Sequence, residues 1–110
     1  MPKGIDVNAK AKDERTALHE AAGNGKWKAV QALLKDRRVH VNAADSVGST
    51  ALHWAAENGE WKAVRALLDD DRIEINAANN FGLTALHEAA KYDDEDYKKR
   101  VGLLKGAGAK

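Results

Sequence analysis

The chain has 110 residues, of which 44% are apolar and 32% are charged, a composition typical of one folded domain. Lys and Arg number 18 against 17 for Asp and Glu, so the charge balance gives no reason to expect nucleic acid or an anionic membrane as a partner. The absence of cysteine excludes disulfides and thiolate chemistry, and we expect a cytoplasmic or otherwise intracellular location.

Along the chain, residues 1–10 resemble the C-terminal part of a repeat, and three copies of one sequence motif follow. The motif is TALHEAA from Thr16, TALHWAA from Thr50 and TALHEAA from Thr84, which gives a period of 34 residues. A fixed period between about 20 and 50 residues predicts a stack of repeated units. We therefore interpret 1–110 as a single repeat domain. It consists of a partial lead-in (1–10), repeat one (11–44), repeat two (45–78), and repeat three with a C-terminal cap (79–110).

The middle copy shows the structure that one unit predicts. Residues 45–49 contain the turn formers Asp, Ser and Gly, and Thr50 follows as a helix N-cap. Apolar residues at helical spacing from Leu52, closed by an Asn-Gly pair, predict a short first helix. A second amphipathic helix begins near Trp61 and stops at the sequence DDDR. Helices this short are unstable alone in water, so the copies must stabilise one another by stacking.

These phrases, with the NG, ALL and VNA or INA that follow them, resemble the ankyrin repeat. That family's pattern runs Thr-Pro-Leu-His-x-Ala-Ala, then Gly, Leu-Leu and Val-Asn-Ala, and the resemblance covers almost the whole chain. It implies an all-α repeat fold, an ankyrin-repeat solenoid of three units, each a β-turn followed by a helix-turn-helix. It also implies that the histidine in each copy of the motif joins adjacent turns by hydrogen bonds.

The sequence offers little for catalysis. Equivalent histidines in stacked repeats would lie about 10 Å apart, too far to share one zinc ion. The acidic runs at 69–71 and 93–96 lack the alternating ligands and central glycine of a calcium loop. Neither serine sits in a nucleophile elbow. We expect a chain that is not an enzyme, with no cofactor and no metal.

The resemblance implies that another protein or peptide binds in a concave groove formed by the turn tips and the first helices. Trp54 stands where the other copies have glutamate, so the scaffold does not require an aromatic residue there. With Val47, Phe81, Leu83 and Tyr92 it would form an apolar centre inside a charged rim; alternatively, Phe81 and Leu83 fold back onto repeat three. The partner-binding positions are Lys12, Asp13, Arg15, Glu20, Asn24, Ser46, Val47, Ser49, Trp54, Glu57, Asn58, Asn80, Phe81, Leu83, Glu88, Lys91 and Tyr92.

The near-identity of copies one and two also suits another hypothesis, a structural fragment or engineered repeat scaffold with folding or self-association as its main property. Copy one has no polar cap in front of it. Its uncovered face should include apolar atoms of Leu18, Ala21, Val30 and Leu33 or Leu34, through which the chain would self-associate. Oligomeric state distinguishes this hypothesis from a finished binding module.

A modification site is also expected. Some ankyrin proteins are hydroxylated by an asparaginyl hydroxylase in stretches such as Leu-x6-Asp-Val-Asn. Asn76, preceded by Glu74-Ile75, is a loose match to this stretch, and Asn42 is a poorer one.

Overall fold

Three helical pairs stack in a row in the computed structural model, which describes residues 6–91 and 97–109. The stack extends 50 Å along its longest axis and 26 and 21 Å across, and the main helix contacts of the described residues run within a pair or between neighbouring pairs. Helices α1, α3 and α5 form one layer, and α2, α4 and α6 form the other. The predicted all-α stack of three units is confirmed. The helices are α1 Ala17–Gly23, α2 Trp27–Lys35, α3 Ala51–Glu57, α4 Trp61–Leu68, α5 Ala85–Ala89 and α6 Tyr97–Gly106, preceded by a 3-10 turn at Lys12–Glu14.

Each first helix begins after a threonine that forms a reciprocal cap with the histidine three residues later. The threonine hydroxyl accepts the histidine backbone N–H at 3.3 to 3.4 Å. The threonine backbone N–H in turn donates to the histidine Nδ1 at 2.9 to 3.1 Å. These bonds satisfy groups that a helix N-terminus leaves free. The pairs are Thr16–His19, Thr50–His53 and Thr84–His87.

The other ring nitrogen of the histidine joins one repeat to the next. His19 Nε2 donates to the backbone carbonyl of Ser49, and His53 Nε2 donates to that of Leu83, both at 2.8 Å. Because Nδ1 faces a backbone N–H and Nε2 faces a carbonyl, only the neutral ring with its proton on Nε2 satisfies both contacts. The predicted tether is thus confirmed for the first two histidines, whereas His87 is exposed.

The core is continuous through the stack and begins inside repeat one. Leu18, Val30 and Leu34 are buried in the same cluster as the residues of repeat two, because α1 packs on α3 and α2 packs on α4. The expectation that these three side chains lie on an uncovered face is therefore wrong. Ala21 and Leu33 are half-buried against the cluster. None of the helices in the described part of the chain is long and apolar enough to cross a membrane.

The described part of the lead-in packs as the tail of a repeat would. Asn8 Nδ2 donates to the carbonyl of Arg38 (2.9 Å), and Asn8 Oδ1 accepts the backbone N–H of His40 (2.7 Å). Asn42, one period later, makes the same two bonds to the tail of the next repeat at 2.9 and 2.8 Å. Asn8 and Asn42 thus make equivalent contacts one period apart, and the division of the chain into a lead-in and three repeats stays a prediction.

The tips of the three turns are joined by a second set of bonds at the same period. The backbone N–H of Ser46 donates to the carbonyl of Asp13 at 2.9 Å, and that of Asn80 donates to the carbonyl of Val47 at 2.8 Å. The tip of each turn is therefore fixed to the tip before it. Asp13, Val47 and Phe81 occupy equivalent places, and together they form what we call the tip row.

One position in each turn has a left-handed backbone, and repeat one lacks glycine there. Gly48 has φ 80° and lies so close to the next turn that an added Cβ would be 2.6 Å from Asn80 Oδ1. Glu14, its counterpart in repeat one, has φ 60°. A residue with a Cβ is strained in this region, and glycine is not.

We predict that Glu14→Gly raises the free energy of unfolding by about 1 kcal/mol, because glycine relieves the left-handed strain. Urea denaturation would measure the change. Gly48→Ala is the opposite control and should destabilise the protein by more than about 1 kcal/mol, since it adds both strain and a steric contact. A Glu14→Gly protein less stable than the parent would contradict the assignment of strain.

Stability should also fall on mild acidification. Desolvation by burial lowers the pKa of His19 and His53 below the ordinary value of 6.5, although the bonds to Ser49 and Leu83 act the other way. The unfolded chain therefore binds protons that the folded chain excludes, so this stability is present above pH 6.5 and is lost as the pH falls below it.

Urea denaturation between pH 8 and pH 5 would test this effect, and histidine ring NMR titration would assign it. His40→Gln is the control, because His40 is exposed and its replacement should leave the slope unchanged. A free energy of unfolding that stays constant across this range would contradict the prediction.

Candidate partner-binding groove

A cleft of about 500 Å³ opens between the first two turns and helix α3. It brings together residues from both turns and from one face of the helix. All but Asp45 are among the positions predicted to bind a partner. The lining residues are Asp13, Arg15, Asp45, Ser46, Val47, Ser49, Trp54, Glu57 and Asn58.

Trp54 lies at the centre of this cleft and is held on several sides. Its Nε1 donates to Asp45 Oδ2 at 2.9 Å. The guanidinium carbon of Arg15 lies 4.4 Å from the ring centroid, within cation–π range. The His19 ring approaches edge-on, with 5.7 Å between ring centroids. The half-buried indole is therefore fixed in orientation.

The Trp54 indole can pack against the C-terminal end of α1 because that helix ends in Gly23. A Cβ added at Gly23 would stand 2.7 Å from Trp54 Cε3. The same glycine carbonyl accepts the side-chain N–H of Asn58 at 3.0 Å, which holds α3 against the end of α1. Glu57 and Lys91 occupy the equivalent place in the other repeats, so this space exists only beside Trp54.

The acceptor for the indole is a carboxylate that also shapes the turn. Asp45 Oδ1 accepts the backbone N–H groups of Val47 (3.0 Å) and Ser49 (2.9 Å). Burial opposes ionisation, but these bonds and the one from Trp54 outweigh it and lower the pKa of Asp45. From the sequence, Asp45 was recognised only as a turn former. An aspartate nine residues before an unusual tryptophan was the available signal.

The tip row supplies exposed apolar surface next to this cleft. Phe81 is 72% exposed and Val47 is 39% exposed, both in turns that need no apolar side chain. Phe81 therefore does not fold back onto repeat three. Leu83 is half-buried, and its carbonyl is the acceptor for His53.

Two of the predicted surface positions are buried. Ser49 is part of the turn framework, since its carbonyl accepts His19 and its hydroxyl accepts the Asn79 amide at 3.2 Å. Glu88 is only 4% exposed, although it stands where the preceding repeat presents Trp54. The exposed predicted positions are Lys12, Asp13, Glu20, Asn24, Ser46, Val47, Glu57, Asn58, Asn80, Phe81 and Lys91, and Tyr92 lies outside the described residues.

Charged side chains continue the groove towards repeat three. Burial raises the pKa of Glu57, and the neighbouring Glu88 carboxyl raises it further. Lys91 Nζ lies 3.7 Å from Glu88 Oε2. At the other end, Arg15 pairs with Glu20 at 3.4 Å in an exposed contact that contributes little to stability.

In residues 6–91 and 97–109, no three His, Asp or Glu side chains gather in a way that could hold a metal ion.

Comparison with known proteins settles the family. A family model described as "Ankyrin repeats (3 copies)" matches residues 1–79 and, in an overlapping match, residues 18–107. The chain belongs to the ankyrin-repeat family. A search of curated proteins gave no significant match.

Ankyrin repeats are generally non-enzymatic modules for protein–protein interaction. The groove of this ankyrin chain differs from repeat to repeat at one helical position, which carries Glu20, Trp54 and Glu88 in turn. Over the first-helix motif the copies read TALHEAA, TALHWAA and TALHEAA, so within this stretch they differ at this one position.

We predict that Asp45→Asn releases the Trp54 indole while keeping the turn. An asparagine oxygen can still accept the two backbone N–H groups, as Asn79 does in repeat three at 2.9 and 3.1 Å. The amide nitrogen, however, cannot accept the indole N–H. Hydrogen exchange of the indole proton, followed by NMR, should become about tenfold faster, and the free energy of unfolding should fall by about 1 kcal/mol.

Asn79→Asp is the matched control, because no tryptophan follows it at the corresponding distance. It should leave the Trp54 exchange rate unchanged. An indole proton that exchanges equally slowly in Asp45→Asn would show that packing, and not this bond, fixes the ring.

Proposed function

We propose that this ankyrin chain is a non-catalytic interaction module that binds another protein or peptide through the concave groove formed by its turn tips and first helices. The observation that supports it best is the fixed Trp54 indole in an open cleft beside the exposed tip row. Tryptophan is over-represented among the residues that dominate binding energy.

The fixed orientation of Trp54 favours binding. Association costs free energy for each side chain that it immobilises, and a ring already held by Asp45 and Arg15 avoids much of that cost. Phe81 and Val47 add apolar surface that would lose contact with water. Exposed apolar surface with a polar border is typical of interaction sites.

The remaining predicted positions suit the border of such an interface. They are polar or charged, and most are exposed. Lys12 and Asp13 lie at the first turn tip, Asn80 lies at the third, and Asn24 ends α1. The intracellular location and the absence of catalysis, cofactor, nucleic acid and membrane partners are parts of the same proposal.

The expected hydroxylation site stays a prediction. Asn76 is exposed, and its amide donates to the carbonyl of Gly108 at 3.4 Å, whereas the equivalent Asn42 is half-buried with two shorter bonds. The greater exposure of Asn76 favours it over Asn42 as the side chain that an asparaginyl hydroxylase would reach.

A capture experiment with groove variants would test the proposed function. Proteins from a host lysate that bind the immobilised chain should be lost from Trp54→Ala and from Phe81→Ala. The Trp54 change should weaken an isolated partner's binding about thirtyfold, which corresponds to roughly 2 kcal/mol. Phe81 is exposed in its turn, so its replacement should leave the fold intact.

Trp61→Ala is the matched control, because it removes an aromatic ring from the outer layer. Its captured proteins should equal those of the parent. Binding that persists in both groove variants and disappears in Trp61→Ala would overturn the proposal. A concentration-dependent dimer in sedimentation, without captured partners, would favour the alternative of a self-associating or engineered scaffold.

A further inference from the structure

Repeat three presents, at one end of the stack, a face that the other two repeats bury. We propose that this face binds the opposite end of a second copy of the chain, at repeat one, so that copies associate head to tail. The association uses the two ends of the stack and leaves the groove open.

The end face of repeat three is open where the same residue types are buried in the other repeats. In repeats one and two the leucine, the histidine and the last alanine of the motif are at most 2% exposed: Leu18, His19, Ala22, Leu52, His53 and Ala56. The equivalent Leu86 is half-buried, and His87 and Ala90 are exposed. We call these three residues the end face.

The front of repeat one is open in the matching way. In repeat two, four residues of the two helices that pack on repeat one are at most 6% exposed: Ala55, Ala63, Ala66 and Leu67. One period earlier, Ala29 and Ala32 are exposed, and Ala21 and Leu33 are half-buried. These four, which we call the front face, have the same residue types as their counterparts. An end face on the front face of another copy would therefore repeat a contact that the chain already makes internally.

Both ends also have capacity for one more hydrogen bond. At the two internal steps, the motif histidine donates Nε2 to a carbonyl of the next repeat at 2.8 Å. His87 caps its helix through Nδ1, and its Nε2 has no hydrogen-bond partner in residues 6–91 and 97–109. At the front, the carbonyl of Arg15 is the counterpart of that of Ser49, and it accepts the backbone N–H of Ala11 at 2.7 Å. A carbonyl oxygen can accept two bonds, so His87 of another copy could donate to it.

Like charges in the outer layer limit the strength of this association. In a head-to-tail pair, α6 of one copy would lie beside α2 of the next, as α2 lies beside α4 within the chain. Helix α6 exposes Lys98 and Lys105, and α2 exposes Lys28 and Lys35. Salt screens repulsion between exposed charges, so the association should strengthen as the salt concentration rises.

The contact joins two different faces, so it does not close on itself and can add further copies. Joined copies would continue the row of first helices and turn tips, and the groove with it, from one copy to the next. Self-association and capture of a partner are therefore independent properties of this chain, and captured partners remain the test of the proposed function.

Two variants, each blocked at one end, and their mixture would test the proposal. Ala90→Glu places a charge on the end face, and Ala32→Glu places one on the front face; both alanines are exposed, so both variants should fold. In sedimentation between about 20 μM and about 1 mM, we expect the parent to form dimers and larger species. Each variant alone should associate at least about tenfold more weakly. An equimolar mixture should recover the parental affinity but stop at the dimer, because each variant keeps one intact face.

A histidine variant separates the hydrogen bond from the packing. In His87→Gln the glutamine can still reach back to the N-cap N–H, so the helix cap is kept, but the ring nitrogen that faces the next copy is lost. Association should become about fivefold weaker. Ala78→Glu is the matched control, because Ala78 is exposed and belongs to neither face, and it should associate as the parent does.

Three results would overturn the proposal. One is a parent that stays monomeric over the whole concentration range at high salt. Another is a mixture of the two blocked variants that associates no better than its components. The third is association that both blocked variants retain and Trp54→Ala loses, which would assign the contact to the groove.

Discussion

The hydrogen bond from a buried histidine ring to a carbonyl of the next repeat determines the spacing of the whole stack. His19 caps α1 through Nδ1 and holds the Ser49 carbonyl through Nε2. That contact fixes the second turn, which carries Asp45. The same ring also meets the edge of Trp54. One neutral imidazole therefore couples helix start, repeat spacing and the position of the groove aromatic, and a protonated ring would disturb all three.

The residues that make the groove differ from repeat to repeat stand at positions that packing of the core does not constrain. One helical position faces the groove in every repeat, and it holds Trp54 in repeat two and Glu88 in repeat three. The first is fixed by a hydrogen bond to Asp45 of the preceding turn, whereas the second is buried and forms an ion pair with Lys91 at 3.7 Å. An apolar anchor and an acidic neighbour thus arise from one scaffold position.

The fold was predictable because its signals are local and periodic. Threonine caps, helical apolar spacing and the Asn-Gly stops lie within single repeats, and the helices begin where those signals place them. The groove was predictable only in outline. The bond from Trp54 to Asp45 and the burial of Glu88 depend on distances between neighbouring elements. Leu18 was misplaced for the same reason, since the pattern of one helix does not tell which neighbour covers it.

Because Gly23 packs under the Trp54 indole, the shape of the groove depends on the order of the repeats. Trp54 can lie flat because the repeat before it ends its first helix in Gly23. If the repeat that carries tryptophan followed a repeat with glutamate or lysine at the position of Gly23, as at Glu57 and Lys91, a long side chain would occupy that space. An array assembled from the same repeats in another order would keep its core and its histidine hydrogen bonds but would expose a different groove surface. The order of the copies therefore determines the shape of the cleft around Trp54.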